Sequence, residues 1–369
     1  MSSFDPGTLP DFGLDWLDAS GPHSDIVLST RVRIARNLQG YPFSVRAKAS
    51  DRAAVLATIR EVLEHKNVLA DPVVIEIEGL EPRLRRLLLE RHLVSRELVG
   101  GDGEEPPSAA ALAASTRQPL GLMINEEDHL RLQVLISGFD PNRAWRTVDS
   151  LDEGLGAVLP YAFHHEFGHL TSCPTNCGTG LRASVLIHLP GLVLTKEINK
   201  VLQGISQVGL TFRGLYGEGS EVVGNFFQVS NQTTLGKSEE DLIDHLQKIV
   251  GQVVEYERQA RAVLLRDAPN VIEDKVWRGY GLLRYARSLG FEEMMNLLSG
   301  VRLGLSLKLL SGPSVYTLNK IMMFAQNAHL EQSAGQSLTP ADLDIYRASY
   351  VRQVLGADEA VEQEGSHDE

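Results

Sequence analysis

The chain has 369 residues, 43% of them hydrophobic and 22% charged, with a formal net charge of −13. That composition suits a globular protein of one large or two medium domains, and the acidic balance argues against sequence-independent binding to nucleic acid. No apolar run approaches the ~20 residues that span a bilayer. The N-terminal residues have neither the basic nor the apolar region of a secretory signal. Two cysteines, Cys173 and Cys177, cannot make a disulfide framework. A cytoplasmic protein is expected.

Residues 1–24, rich in Gly, Pro and Asp, read as an irregular arm. The stretch DIVLSTRVRIARNL, 25–38, alternates apolar and polar residues and predicts a strand with Arg31 and Arg33 on one face. Residues 50–65 have helical spacing at Val55, Ile59, Val62 and Leu63, with Ser50 as cap. A short strand over 73–78 and a helical run over 81–95 follow. Residues 100–118 read as a low-complexity loop. Residues 119–138 predict two strands around the charged turn NEEDH, and a helix is expected near 143–157. An apolar strand over 183–194, a helix over 195–206 and a Gly-tipped hairpin over 208–232 complete this part. From Ser238 the pattern is helical. Ser238 with Asp241 makes a start signal, and apolar residues recur at Leu242, Leu246, Ile249, Val253 and Tyr256. The expected organisation is a strand-rich part over 25–237, a helical part over 238–355 and a disordered acidic tail over 356–369.

One segment, YAFHHEFGHLTSCPTNCGTGLRASV (161–185), carries competing chemistry. HEFGH, from His165 to His169, satisfies the zinc-protease pattern. A zincin needs both histidines on one helical face and a third ligand. Here Gly168 weakens a helix, Pro174 follows closely, and nothing singles out Glu197 as the third ligand. The GKS triplet at 236–238 lacks the earlier P-loop glycine, since Asn231 stands there. The Asn231-Gln-Thr233 triplet matches a glycosylation acceptor, which a cytoplasmic chain would not use. A Cys173 thiolate would find hydroxyls, backbone amides and a nearby arginine; the other reading is a small buried residue.

Arg31, Arg33, Arg131, Arg182 and Arg213 sit in short polar islands between apolar strands. Guanidinium forks fit phosphate oxygens, so a triphosphate cage built on arginines is one reading and solvated charges the other. Glu126, Glu127 and Asp128 adjoin Arg131, and Glu218 lies near Arg213. Such carboxylates suit a cationic acceptor held in line with a γ-phosphate, one of them taking its proton.

In this order, STRVR (29–33), NEEDHLR (125–131), CPTNCGTGLRAS (173–184) and RGLYGEGSE (213–221) resemble the phosphagen (guanidino) kinase superfamily. The chain leaves no room for a helical domain before STRVR and has one after the catalytic part. With ERHLVS (90–95) and SNQTTLGKSEEDL (230–242), that layout is similar to the bacterial protein arginine kinases. The resemblance implies an α+β fold, an antiparallel sheet flanked by helices and glutamine-synthetase-like, followed by an all-helical C-terminal part. It implies an ATP-dependent kinase acting on arginine side chains in proteins, in stress response and protein quality control. Arg31, Arg33, Arg131, Arg182 and Arg213 would clamp the ATP phosphates. Ser29, Thr30, Val32 and His92, residues Ala183, Ser184, Val185 and Leu186, and Gly214, Leu215, Tyr216 and Gly217 would border the nucleotide.

By the same resemblance Glu127 and Glu218 would hold the acceptor guanidinium, with Glu127 as proton acceptor and Cys173 orienting it. Magnesium would sit on the phosphates rather than on protein side chains. An activator protein, Clp-type protease machinery and a homodimer through the helical part are the implied partners. Asp344, Arg347 and Ala348 match a phosphoarginine-binding motif, but Leu343 stands where that motif begins with arginine. This puts phosphoarginine-dependent regulation in question, not kinase activity. HHEFGH and Cys177 also depart from the family pattern. A kinase for a free guanidino compound, a phosphoarginine-binding adaptor and a zinc hydrolase are the alternatives.

Overall fold

The structure, a computed structural model, describes residues 13–101, 104–214 and 222–365. Its centre is an eight-stranded sheet. The strands are β1 (Val27–Arg36), β2 (Pro72–Glu76), β3 (Ala111–Ser115), β4 (Leu120–Ile124) and β5 (Leu130–Ser137), then, after a separate small hairpin of β6 (Phe163–His164) and β7 (Gly168–His169), β8 (Leu181–His188), β9 (Leu210–Arg213) and β10 (Phe226–Asn231). Their order is β2-β3-β4-β5-β1-β8-β10-β9, and every described pairing is antiparallel. β1 lies between β5 and β8, with Arg33 opposite Gln133 on one side and Arg182 on the other.

Side chains alternate across a strand, and β1 uses both faces. Val32 and Ile34 point into the main core with Ala183 and Val185 of β8. Arg31 and Arg33 point to the opposite face. The core face is covered by α1 (Ala49–His65), α4 (Pro141–Gly156) and α7 (Glu239–Asp267). Leu242, Leu246, Val250 and Val253 of α7 join the same apolar cluster as the strands. The Ser238–Asp241 capping box starts α7 as its sequence signals.

From Pro269 the helices α8 (Pro269–Tyr285), α9 (Phe291–Ser306), α10 (Val315–Phe324), α11 (Asn327–Ala334) and α12 (Pro340–Gly365) surround a second cluster. Trp16 and Leu17, on a short helical turn over Asp15–Asp18, are buried in it. The arm is therefore partly anchored by apolar burial. Loop 100–118 also holds more order than its composition suggests. Ala111–Ser115 forms β3, buried throughout because small side chains fit between β2 and β4. α12 runs on to Gly365, through the stretch expected to be disordered, where Ala, Glu and Gln are strong helix formers. No described helix is long and apolar enough to cross a membrane.

A buried ion pair ties this frame to the cysteine loop. Arg36, 2% exposed, meets Asp152 of α4 at 2.5 Å and donates from Nη1 to Thr179 O at 2.7 Å. Removing one member of a buried pair strands the other charge. Asp152→Ala is expected to lower stability by about 3–5 kcal/mol, read as a fall in the urea midpoint. A change under about 1 kcal/mol would mean that water replaces the carboxylate.

Candidate active site

The charged turn between β4 and β5 is held by a bond across itself and by bonds to α1 and to the loop before β3. Asn125 adopts a left-handed conformation (φ 59°), its N–H bonds His129 O at 3.0 Å, and its side-chain amide donates to Arg52 O and Ala109 O. Glu126 is buried and accepts from Arg131 Nη1 at 2.6 Å, while Glu127, 40% exposed, accepts from Arg131 Nη2 at 3.0 Å. Burial raises the Glu127 carboxyl above the ordinary range, Arg131 opposes the rise, and Asp128 and Glu126 add to it. Burial works against the charge on Arg131, but Glu126, Asp128 and Glu127 prevail and hold its pKa above the usual value.

The sequence places Asp128 only as one of three carboxylates beside Arg131; in the structure it joins this turn to the cysteine loop. Fully buried, its Oδ1 accepts from Ser172 N at 2.6 Å and from Asn37 Nδ2 at 2.7 Å. Asn37 in turn accepts from His129 N at 2.9 Å through Oδ1. The only signal for Asp128 in the sequence is its place within NEEDH; Asn37 has none.

Cys173 caps a single 3-10 turn over Pro174–Asn176, its Sγ 3.0 Å from Thr175 Oγ1. Thr171 Oγ1 donates to Cys173 O at 2.7 Å, and Thr234 Oγ1 donates to Cys177 O at 2.6 Å. Gly178 (φ 105°) lies so close to Thr234 that a Cβ would come within 2.8 Å of its carbonyl oxygen, so only glycine fits there. Both cysteines are free thiols.

HHEFGH forms no helix. Phe163–His164 (β6) and Gly168–His169 (β7) pair as a two-stranded hairpin. The His169 ring packs edge-on against Tyr161 and Phe163, and its charged form is disfavoured by burial and then by Arg36, giving a pKa of about 4. The one-faced helix that a zincin requires is absent at this motif.

On the polar face of the sheet, Arg31, Arg33, Arg213 and Gln228 line one cleft of about 670 Å³ with His92, Arg96 and Glu97. Phe291, Gln326 and Asn327 of the C-terminal helices form its far wall. Burial lowers the pKa of Arg31 to about 10, and the charges of Arg182 and Arg131 add to the effect. Arg33 is pushed down strongly by burial and by Arg31, Arg131 and Arg182, with Glu126 opposing, and its Nε is buried with no hydrogen-bond partner among the described residues. A concentration of positive charge with an unmet donor fits a polyanion. His92 (φ 59°) ends the helical run after α2 (Pro82–Glu90). Its ring lies edge-on to Trp16, and burial, then Arg31, lowers its pKa to about 3, so it is neutral at neutral pH. Ser95 then caps the short helix α3 (Arg96–Val99), which carries Arg96.

The structure thus gathers Arg31, Arg33, His92 and Arg213 on one cleft, and Ser29, Ser184 and Leu186 on a smaller pocket beside it. It directs Thr30, Val32, Ala183 and Val185 elsewhere. The last three lie in the core, and Thr30 Oγ1 donates to Gly138 O at 2.7 Å. As alternate strand residues, these four cannot present side chains to a nucleotide on the polar face. Gly214 follows β9, whereas Leu215, Tyr216, Gly217 and Glu218 lie outside the described residues.

Arg347 of α12 is 1% exposed and fully engaged. It donates to Ala325 O, Leu289 O, Asp344 Oδ1 and Asn327 Oδ1, all within 2.6–2.9 Å, and lies over the Phe291 ring. Leu343 and Ala348 are buried beside it. In this arrangement Arg347 braces the cleft wall rather than facing solvent.

The model for the ATP:guanido phosphotransferase C-terminal catalytic domain matches residues 55–260. The model for the protein-arginine kinase McsB C-terminal domain matches residues 269–366. Protein-arginine kinases from Pelotomaculum thermopropionicum and Moorella thermoacetica are each 43% identical over 92% of this chain, which covers 94% and 97% of theirs. The Bacillus subtilis protein-arginine kinase is 40% identical, with 92% of this chain and 93% of that protein covered. The chain belongs to the ATP:guanido phosphotransferase family, in its protein-arginine kinase branch.

Family members of known structure share the fold. The duplicated taurocyamine kinase of Schistosoma mansoni, solved with bound transition-state-analogue components, has TM-score 0.58 at 24% identity, over 69% of this chain and 35% of that one. Lombricine kinase has TM-score 0.55 at 24% identity, over 67% and 71%. The antiparallel sheet and flanking helices therefore share the fold of these kinases, and the family match makes the protein a phosphotransferase.

Proposed function

We propose that this kinase transfers the γ-phosphoryl group of ATP to the guanidinium of arginine residues in proteins. The observation that carries the reading is the joining of two halves. A half-buried arginine cluster, whose Arg33 Nε has no partner among the described residues, opens on one cleft, and Asp128 links the adjoining carboxylate turn to the cysteine loop. Relatives of nearly the same length bear the name protein-arginine kinase.

In this reading Arg31, Arg33 and Arg213 take the phosphates, with Arg131 and Arg182 from neighbouring strands. Phosphoryl transfer needs positioning and charge neutralisation more than covalent help from the protein. Magnesium, when bound on the phosphates, supplies part of that neutralisation. Glu127 receives the acceptor guanidinium and its proton. It shares Arg131 with Glu126, so Arg131 keeps one carboxylate when Glu127 turns to the acceptor. Cys173 and Glu218 complete the acceptor end, and Asp128 positions the cysteine loop. A stress-response role, cytoplasmic placement, an activator, a protease partner and a homodimer extend the same reading from resemblance.

The test uses purified protein, γ-labelled ATP and magnesium, with an unfolded arginine-containing protein and free arginine in separate reactions. Acid-labile label on protein arginines, mapped by mass spectrometry, is expected. Label on free arginine alone would make the enzyme a phosphagen kinase, and nucleotide binding without turnover would make it an adaptor.

A further inference from the structure

The β6–β7 hairpin is rigidly joined to the cysteine loop. His169 N donates to Gly178 O at 2.9 Å, and Gly178 N donates to His169 O at 3.2 Å. A Cβ on Gly168 (φ 68°) would lie 2.6 Å from Gly178 O, so the two segments touch backbone to backbone. What the hairpin displays is unusual for a surface tip. Phe163 is 62% exposed and Phe167 50% exposed. Phe163 stands edge-on to His169 at 5.3 Å, and Phe167 stacks on His164 at 5.0 Å with His165 alongside. Between the two phenylalanines Glu166 is exposed, its N–H directed to His164 Nδ1. Exposed aromatic rings held in place by neighbours and flanking a carboxylate suit a planar cation. Arginine stacks on ring faces while its charge is met by the acid.

We infer that the 163–167 hairpin is a docking site for an extended, arginine-bearing segment of the acceptor protein, next to the arginine that is phosphorylated. The inference rests on the protein-arginine reading above and deepens it. Two features commit the surface to this occupant. It is continuous, through Gly178 and Thr171, with the loop that carries Cys173. Its chemistry also complements the cationic side chain such a segment must carry. A folded acceptor would rarely present both arginines at once, so the hairpin favours unfolded chains.

The experiment compares wild type with the double variant Phe163→Ser/Phe167→Ser. The acceptors are reduced, alkylated lysozyme, which carries many arginines, and a capped Gly-Arg-Gly tripeptide, which is too short to reach both places. The expected result is a rise of about five- to thirtyfold in KM for the unfolded protein, from two lost ring–guanidinium contacts. KM for ATP and the rate with tripeptide should hold. Phe163→Tyr/Phe167→Tyr, which keeps the rings, should restore the wild-type KM. An unchanged KM for unfolded lysozyme in the serine variant would overturn the docking site while leaving the kinase reading intact. Equal losses on both acceptors would also overturn it, reducing the hairpin to a support for the cysteine loop. If wild type labels no protein arginine at all, the reading of function falls first and the docking site falls with it.

Discussion

Glu127→Gln is expected to reduce phosphoryl transfer to protein arginine by about 10²–10⁴-fold while nucleotide affinity stays within about twofold. The amide keeps the size of the side chain but cannot take a proton or pair with a guanidinium. Arg131 retains Glu126, with which it bonds at 2.6 Å, so the phosphate side of the site should survive the change. The wild-type pH profile follows from the same group. Burial lifts the Glu127 pKa, only partly offset by Arg131. The working form is the carboxylate, so activity should be lost as pH falls through that raised pKa and be present above it. The acid limb should therefore lie above the ordinary carboxylate range and be missing in the residual activity of the variant. Retention of most wild-type activity in Glu127→Gln would remove the residue from the proton-accepting role.

The second large effect concerns stability and binding in opposite directions. Without a ligand, Arg33 is a half-buried cation beside Arg31, Arg131 and Arg182, only partly offset by Glu126, with its Nε unpartnered among the described residues. Replacing a buried ion pair or triad by apolar side chains of similar volume is often neutral or stabilising by ~1–4 kcal/mol, and removing one of four mutually repelling cations acts in the same direction. Arg33→Met is therefore expected to melt several degrees higher than wild type in the absence of nucleotide. The same change deletes a charge-assisted contact to phosphate, typically ~1.5–3 kcal/mol, so ATP affinity should fall roughly 10- to 100-fold. The stabilisation that wild type gains from ATP should shrink accordingly. Calorimetric binding and thermal melts, with and without nucleotide, read both. Undiminished ATP affinity would take Arg33 out of the clamp. A lower melting point in apo Arg33→Met would show that the arginine stem, not its charge, dominates at that position.

Much of this site is legible in the chain because it depends on strand alternation. The spacing of Arg31 and Arg33 alone puts both on one face of β1, and NEEDH between two apolar runs places Glu126 and Glu127 on a turn. Alternation also says which neighbours face away. Read strictly, it would have set Thr30, Val32, Ala183 and Val185 on the core side from the start. What sequence cannot supply are contacts between distant segments. Asp128 reaches Ser172, which is 44 positions away, and nothing in either segment announces the bond. The far wall at Phe291, Gln326 and Asn327 comes from helices with no local sign of chemistry. The helical texture from Ser238 is plain, but amphipathic spacing does not say what a helix covers. α7 turns out to pack on the sheet. β3 is hidden because ALAAS lacks the β-branched residues that mark strands.

Glu90 sits at the end of α2, two positions before His92, and its carboxylate accepts from Ala328 N at 2.9 Å, His329 N at 3.3 Å and His329 Nδ1 at 2.9 Å. A negative charge at the start of α11 is favoured by the helix dipole and by the amides it satisfies. Arg91 Nε completes the clasp on His329 Nε2 at 3.2 Å. This junction makes the chain a poor substrate for domain shuffling. A chimaera spliced in the 261–268 gap between the two matched segments would divide the clasp and the cleft wall between parents. Such a hybrid should recover a working cleft only when Glu90, Arg91 and the 326–329 segment descend from the same parent. The two halves must then be inherited together, though each is recognisable alone.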